Sequence, residues 1–201
     1  MKFIHTLIIS TILITPELSS NDLNNNEECN SSNVSTEERA FTNTFSGIFN
    51  GKKINYVASL KEKILYEKDN PDEPMASFFY TEYIAETNEN RPVIFSFNGG
   101  PGSASLWLHM GVLGPKVIKV PSDASDDGAP PYNIVDNNLS PLSDADLVFI
   151  DPIGTGYSRA IGCHEGEEFW GVNEDPKIIA EFIRRWISDN NRWNSPRYIL
   201  G

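Results

Sequence analysis

The sequence is poor in the residues that most often mark metal or redox chemistry. It has two cysteines, Cys29 and Cys163, and three histidines, His5, His109 and His164, in 201 residues. With no CxxC, no HExxH and no histidine cluster, neither a metal nor another cofactor is expected. Basic charge is also scarce. Sixteen Lys and Arg face 28 Asp and Glu, a formal net charge of −12, which removes the basic surface that nucleic acid binding requires. No apolar run reaches the ~20 residues of a membrane-spanning helix, so no stable membrane partner is expected. Phe3 to Ile14 is mostly apolar, follows Lys2 and is broken by Pro16 before Leu18-Ser19-Ser20. Residues 1–20 therefore read as a signal peptide.

Hydrophobic residues make up 39% of the chain and aromatics 11%, enough for a globular core. The core does not begin at once. Residues 21–44 are read as a disordered polar lead-in, rich in Asn, Ser and Glu up to Arg39. It holds two glycosylation sequons, at Asn30 and Asn33, and a third lies at Asn138; with the signal peptide they favour the secretory pathway. Because Cys29 falls in the lead-in, a bridge to Cys163 is not expected to constrain the fold.

From Phe45 the pattern is β-like. Phe45–Asn50 and Ile54–Ala58 flank Gly51-Lys52-Lys53 as a hairpin, Lys63–Glu67 adds a short strand, and Ala76–Ala85 is rich in aromatics. Leu147–Ile150 is a short, wholly apolar strand closed by Asp151-Pro152. The clearest helix starts at Glu174-Asp175-Pro176, carries Ile178, Ile179, Phe182, Ile183, Trp186 and Ile187 on one stripe, and ends at Asn190-Asn191. Tyr198-Ile199-Leu200 opens a further buried strand. The early strands read as antiparallel, and short buried strands separated by helices follow them, which indicates an α/β fold in which antiparallel strands lead into a mostly parallel sheet.

The chain is organised around PVIFSFNGGPGSAS, which begins at Pro92. Val93 to Phe97 reads as a buried strand, Asn98-Gly99-Gly100-Pro101-Gly102 as a tight turn, and Ala104–Met110 as a helix with Ser103 as N-cap. Glycine at a helix start leaves amide N–H groups open to an anion. Phosphate loops of the GxGxxG or GxxxxGK[ST] type are absent, so the choices are an oxyanion hole or a turn that only packs.

NGGPGSAS after an apolar strand resembles the signature of the serine carboxypeptidase family, which has the α/β-hydrolase fold. Asp146–Ser158, with its Gly154-Thr155-Gly156-Tyr157-Ser158 segment, Phe169–Val172 and Arg192–Gly201 are similar to that family in the same order, so the likeness runs from about residue 45 to 201. It implies a serine-type carboxypeptidase that removes C-terminal residues from peptides through an acyl-enzyme. Asn98 and Gly99 would hold the substrate's terminal carboxylate, and Gly100 would donate its N–H to the oxyanion. The peptide or protein C-terminus is then the expected partner. Gly201 would be the first glycine of the nucleophile elbow, with the serine, acid and histidine beyond it, so the 201 residues are expected to be an N-terminal portion that is inactive alone.

Some positions depart from the family's pattern. Ser103 stands where many members have a cysteine, and Ser96 stands where many have tryptophan. Ser158 mimics a GxSxG serine but lies too far past its strand to serve as the nucleophile. His109 is expected to pack inside its helix, and His164 to sit in a polar loop. Two alternative functions stay open: a carboxypeptidase-like acyltransferase, and a noncatalytic secreted binding protein.

Overall fold

The computed structural model describes residues 34–201 apart from 88–89, 101, 122, 124 and 126–129. The signal segment, Cys29, Asn30, Asn33 and Pro101 lie outside the described residues. The main sheet runs β1–β2–β3–β7–β4–β9 in space. Strands β1 (Ala40–Phe49), β2 (Lys52–Tyr66) and β3 (Pro74–Ala85) pair antiparallel, and β3 pairs antiparallel with β7 (Asp146–Ile150). Parallel pairing then joins β7 to β4 (Val93–Ser96) and β4 to β9 (Arg197–Leu200). The short β8 (Arg159–Ala160) adds to β3, and β5 (Lys116–Ile118) with β6 (Ile134–Asp136) forms a separate ribbon. The result is a mixed sheet with few helices, in which antiparallel strands lead into a parallel set, as expected.

Several boundaries move from their sequence-based positions. β1 begins at Ala40, inside the stretch read as lead-in, and β2 is one 15-residue strand where two were expected. The hairpin turns on Asn50 and Gly51, at φ 48° and 78°. Positive φ at both central residues matches the right-handed twist of the flanking strands, and Asn-Gly supplies it cheaply.

Each face of the sheet is covered by one helix. Helix α2 (Glu174–Asp189) packs Ile178, Ile179, Phe182, Trp186 and Ile187 against Phe78, Tyr80, Val93, Phe95, Val148 and Ile150. Trp186 donates its indole N–H to Glu82 Oε2 at 2.8 Å, which gives a buried carboxylate a second partner beside Lys61. On the other face, Leu108 and Leu113 cover Phe49, Tyr56, Leu142, Leu147 and Phe149. The strand alternation thus sends Val93 and Phe95 to one helix and Ile94 to the other, as a two-sided strand requires.

At the opposite end of β7 from Ile150, Asp146 is buried and accepts from Ala85 N–H at 3.0 Å, Arg91 Nε at 3.1 Å and Arg192 Nη1 at 2.8 Å. Arg192 also donates to the Arg91 carbonyl, and Arg91 to the Leu142 carbonyl, so the start of β7 is tied to the chain entering β4 and β9. Among the described residues β9 pairs with β4, and its Ile199 is 66% exposed. Cys163 is disulfide-bonded. Among the described residues, no helix is long and apolar enough to cross a membrane.

Candidate active site

Strands β4, β7 and β9 are mutually parallel and end together, and chain segments leaving such carboxyl ends are where open α/β sheets place their ligands. The turn Asn98–Gly102 leaves β4 at that edge. Gly100 has φ 145° and Gly102 φ 95°, backbone states that L side chains rarely take. Asn98 is half-buried, whereas Gly99 and Gly100 are exposed. A Cβ on Gly100 would come within 3.1 Å of Ser103 Oγ. The three expected site residues are therefore consecutive on one exposed turn.

Asn98 is oriented from below. Its Oδ1 accepts the Leu108 N–H at 3.1 Å. With the oxygen engaged, the amide presents its NH2 as the free face, a pure donor.

The helix after the turn differs from the expected one. It runs only over Leu106–Leu108 (α1) and continues as a single π-type turn, His109–Leu113. The position before it is Ser105, not Ser103, and Ser105 makes no side-chain cap. Instead the Ser105 hydroxyl donates to the Ile150 carbonyl, and its N–H donates to Asp151 Oδ1 at 2.8 Å. The end of β7 thus takes over the capping of α1. This overrides the local signal at Ser103, because a fixed carboxylate satisfies an open helix N–H better than a local hydroxyl. Burial pushes the Asp151 carboxyl above its ordinary range, with the Ser105 N–H pulling partly the other way.

His109 begins the π-type turn and pins it to the sheet. Its ring stacks on Phe149, 4.6 Å between centroids, and Nε2 lies 2.5 Å from the Tyr83 hydroxyl. Burial holds the imidazole down at about 4 and pushes the Tyr83 phenol well above its ordinary value. Both groups are neutral at pH 7, so the phenol donates to Nε2 and the imidazole proton resides on Nδ1. Such π-type turns recur at functional sites.

Other candidates are placed elsewhere. Ser158 is buried, and its Oγ accepts the Phe79 N–H at 2.8 Å, a structural task that leaves no free nucleophile. His164 is held between Glu67 at 3.1 Å and Glu168 at 2.8 Å, away from the turn. Asn138 is exposed, while Ser140 of its sequon is buried and donates to the Leu113 carbonyl at 2.6 Å. Ser96 is buried, with its Oγ lacking a hydrogen-bond partner among the described residues. No group of His, Cys, Asp and Glu suited to a metal occurs among the described residues. Sequence reasoning missed Asp151 and Tyr83 as parts of the site. The available signal was an acid standing directly between an all-apolar strand and a proline.

The family model for serine carboxypeptidases matches residues 55–201, the segment that carries the turn and all strands from β2's core onward. The chain belongs to the serine carboxypeptidase family. The α/β-hydrolase assignment of the sheet follows from that membership. Among curated proteins, serine carboxypeptidase-like 5 from Arabidopsis thaliana is 26% identical over 134 residues, 65% of this chain and 29% of that protein. Serine carboxypeptidase-like 9 from the same plant is 27% identical over 135 residues, with the same two shares. The pheromone-processing carboxypeptidase KEX1 of Saccharomyces cerevisiae (strain JAY291) is 34% identical over 102 residues, 50% of this chain and 12% of that protein. The matched part of the chain thus spans less than a third of each of these relatives.

Proposed function

We propose that this serine carboxypeptidase family chain supplies the terminal-carboxylate clamp and one oxyanion donor of an enzyme that removes C-terminal residues from peptides. The observation that carries the reading is the bond from Leu108 N–H to Asn98 Oδ1. It leaves an amide NH2 beside the bare Gly99 backbone, a neutral set of donors suited to a carboxylate. No lysine or arginine lies in the turn, so recognition rests on directed hydrogen bonds.

In this reading the peptide lies with its terminal carboxylate on Asn98 and Gly99 and its last amide carbonyl at Gly100. A serine oxygen attacks that carbonyl, the C–N bond breaks to release the C-terminal amino acid, and water then hydrolyses the acyl-enzyme. The Gly100 N–H stabilises the negative oxygen of each tetrahedral intermediate, and loss of one such donor typically costs about 10²–10³ in turnover. None of residues 34–201 is assigned as nucleophile, acid or catalytic histidine. The signal-like N-terminus and the exposed Asn138 sequon support a secretory or vacuolar setting for the protein.

The test is turnover by the polypeptide isolated from its native source. A blocked dipeptide acid should lose its C-terminal residue in a reaction stopped by a serine-directed inhibitor, while the matching dipeptide amide is spared. Failure to cleave any blocked dipeptide, or equal cleavage of acid and amide, would refute the proposal.

A further inference from the structure

Strand β1, at one edge of the main sheet, is unguarded. It reads AFTNTFSGIF, ten residues with no charge and no proline, and its register with β2 runs unbroken by a bulge. Charges, prolines and bulges are the usual means by which an edge strand avoids further pairing. Among the described residues, no strand pairs with its outer flank. The Glu62 N–H donates to the Arg39 carbonyl, and bonded positions alternate along an antiparallel ladder. The odd-numbered residues of β1 therefore bond to β2, while Thr42, Thr44, Ser46 and Ile48 turn their backbone groups outward. Of these, the Thr44 N–H is held locally by Asn43 Oδ1 at 2.9 Å.

The strand also carries an aromatic stripe on the α1 face of the sheet. Phe45 stacks on Tyr56 at 5.8 Å, and Phe49 meets the same ring edge-on at 5.8 Å. Strand alternation places Phe41 on that face too. Phe49 is buried, yet Phe41 is 69% and Phe45 42% exposed. The two ends of the strand carry opposite charge. Glu37 precedes it, and Lys53 follows the Asn50-Gly51 turn. Both are exposed, and among the described residues neither side chain forms an ion pair or hydrogen bond.

We propose that β1 is a self-association edge, at which a second copy of this chain pairs antiparallel about a two-fold axis at Phe45. In that register Thr44 pairs with Ser46 of the second copy and Thr42 with Ile48 of the second copy, and Asn43 releases the Thr44 N–H to the ladder. Phe45 faces its own counterpart and Phe41 faces Phe49 of the second copy, at the close positions where aromatic pairs contribute. Glu37 comes beside Lys53 of the second copy, and the contact repeats across the axis. The charge pattern selects the occupant, because a strand acidic before one end and basic after the other is its own antiparallel complement. The net charge of −12 opposes association over the surface at large, so an uncharged strand is where two copies approach at least cost. The axis stands perpendicular to the sheet, so the turns at Asn98–Gly102 open at opposite edges of one continuous sheet and the pairing covers neither.

Sedimentation equilibrium of the full chain across the micromolar range, at low salt, tests the pairing. A monomer–dimer equilibrium is expected. Ser46→Pro removes an outward N–H and no bond to β2, so this variant should be monomeric with an unchanged circular dichroism spectrum. Glu37→Lys or Lys53→Glu alone should weaken the dimer about tenfold, and the two together should restore it. A chain that is monomeric throughout, whether its edge stays open or is held by another segment or another protein, would overturn the proposal. A dimer that persists undiminished in Ser46→Pro, or a double reversal no tighter than the single ones, would overturn it equally.

Discussion

His109 gives the sharpest quantitative test of how the segment after the turn is held. Its imidazole has an ordinary pKa of 6.5 and is held at about 4 in the fold, with burial as the cause. The unfolded chain therefore binds a proton between these values that the folded chain does not. Stability then rises with pH through this window and is lost as pH falls from 6.5 toward 4, levelling below it. At roughly 1.4 kcal/mol per pKa unit, the full loss attributable to His109 is about 3 kcal/mol. His109→Phe preserves the stack on Phe149 but cannot titrate. It leaves the Tyr83 hydroxyl without its acceptor, a constant cost of about 1–3 kcal/mol. Urea unfolding of the full chain at steps from pH 4 to 7 should show wild type and variant converging on acidification, by about 3 kcal/mol. Carboxylates common to the two proteins cancel in the difference. Parallel pH profiles would show that the imidazole is not buried neutral, and the account of the π-type turn would fail.

Asp146→Ala would leave Arg91 and Arg192 without their shared buried carboxylate, and should cost about 3–5 kcal/mol in urea unfolding. Gly156 has φ 51°, and a Cβ there would overlap the Asp151 carboxylate, so Gly156→Ala should destabilise by at least ~2 kcal/mol and disturb the amide signal of Ser105. Residues 21–201 expressed alone should release no amino acid from a blocked dipeptide; release stopped by a serine-directed inhibitor would mean that a serine within this stretch is the nucleophile after all.

What could be read from the sequence was what is encoded locally. The apolar stripe of α2, its proline-containing first turn and its Asn190-Asn191 end all stand where the pattern placed them, with Asn191 at φ 55° closing the helix. The strands at Val93 and Leu147 were visible as apolar runs, and the glycines of 99, 100 and 102 marked the turn between strand and helix. Pairings distant in sequence were not visible. The Ser105–Asp151 bond spans 46 residues and the Tyr83–His109 bond 26, and together they decide where α1 starts and why it gives way to a π-type turn. Ser103 looked like the cap because it follows a glycine turn, yet the strand end offered α1 a better acceptor. The orientation of the Asn98 amide could not be read either, since it depends on a backbone N–H ten residues further on.

The central claim is that Asn98 and Gly99 form a donor pair for a terminal carboxylate. The direct measurement is the affinity of the full chain for N-acetyl-glycyl-norleucine as the free acid and as the C-terminal amide, in wild type and in Asn98→Asp. The acid should bind at least tenfold more tightly than the amide to the wild type. In the variant, the new carboxylate should repel the peptide's own and cancel or reverse that preference. Equal affinity for acid and amide in the wild type, or an acid preference unchanged by Asn98→Asp, would contradict the account.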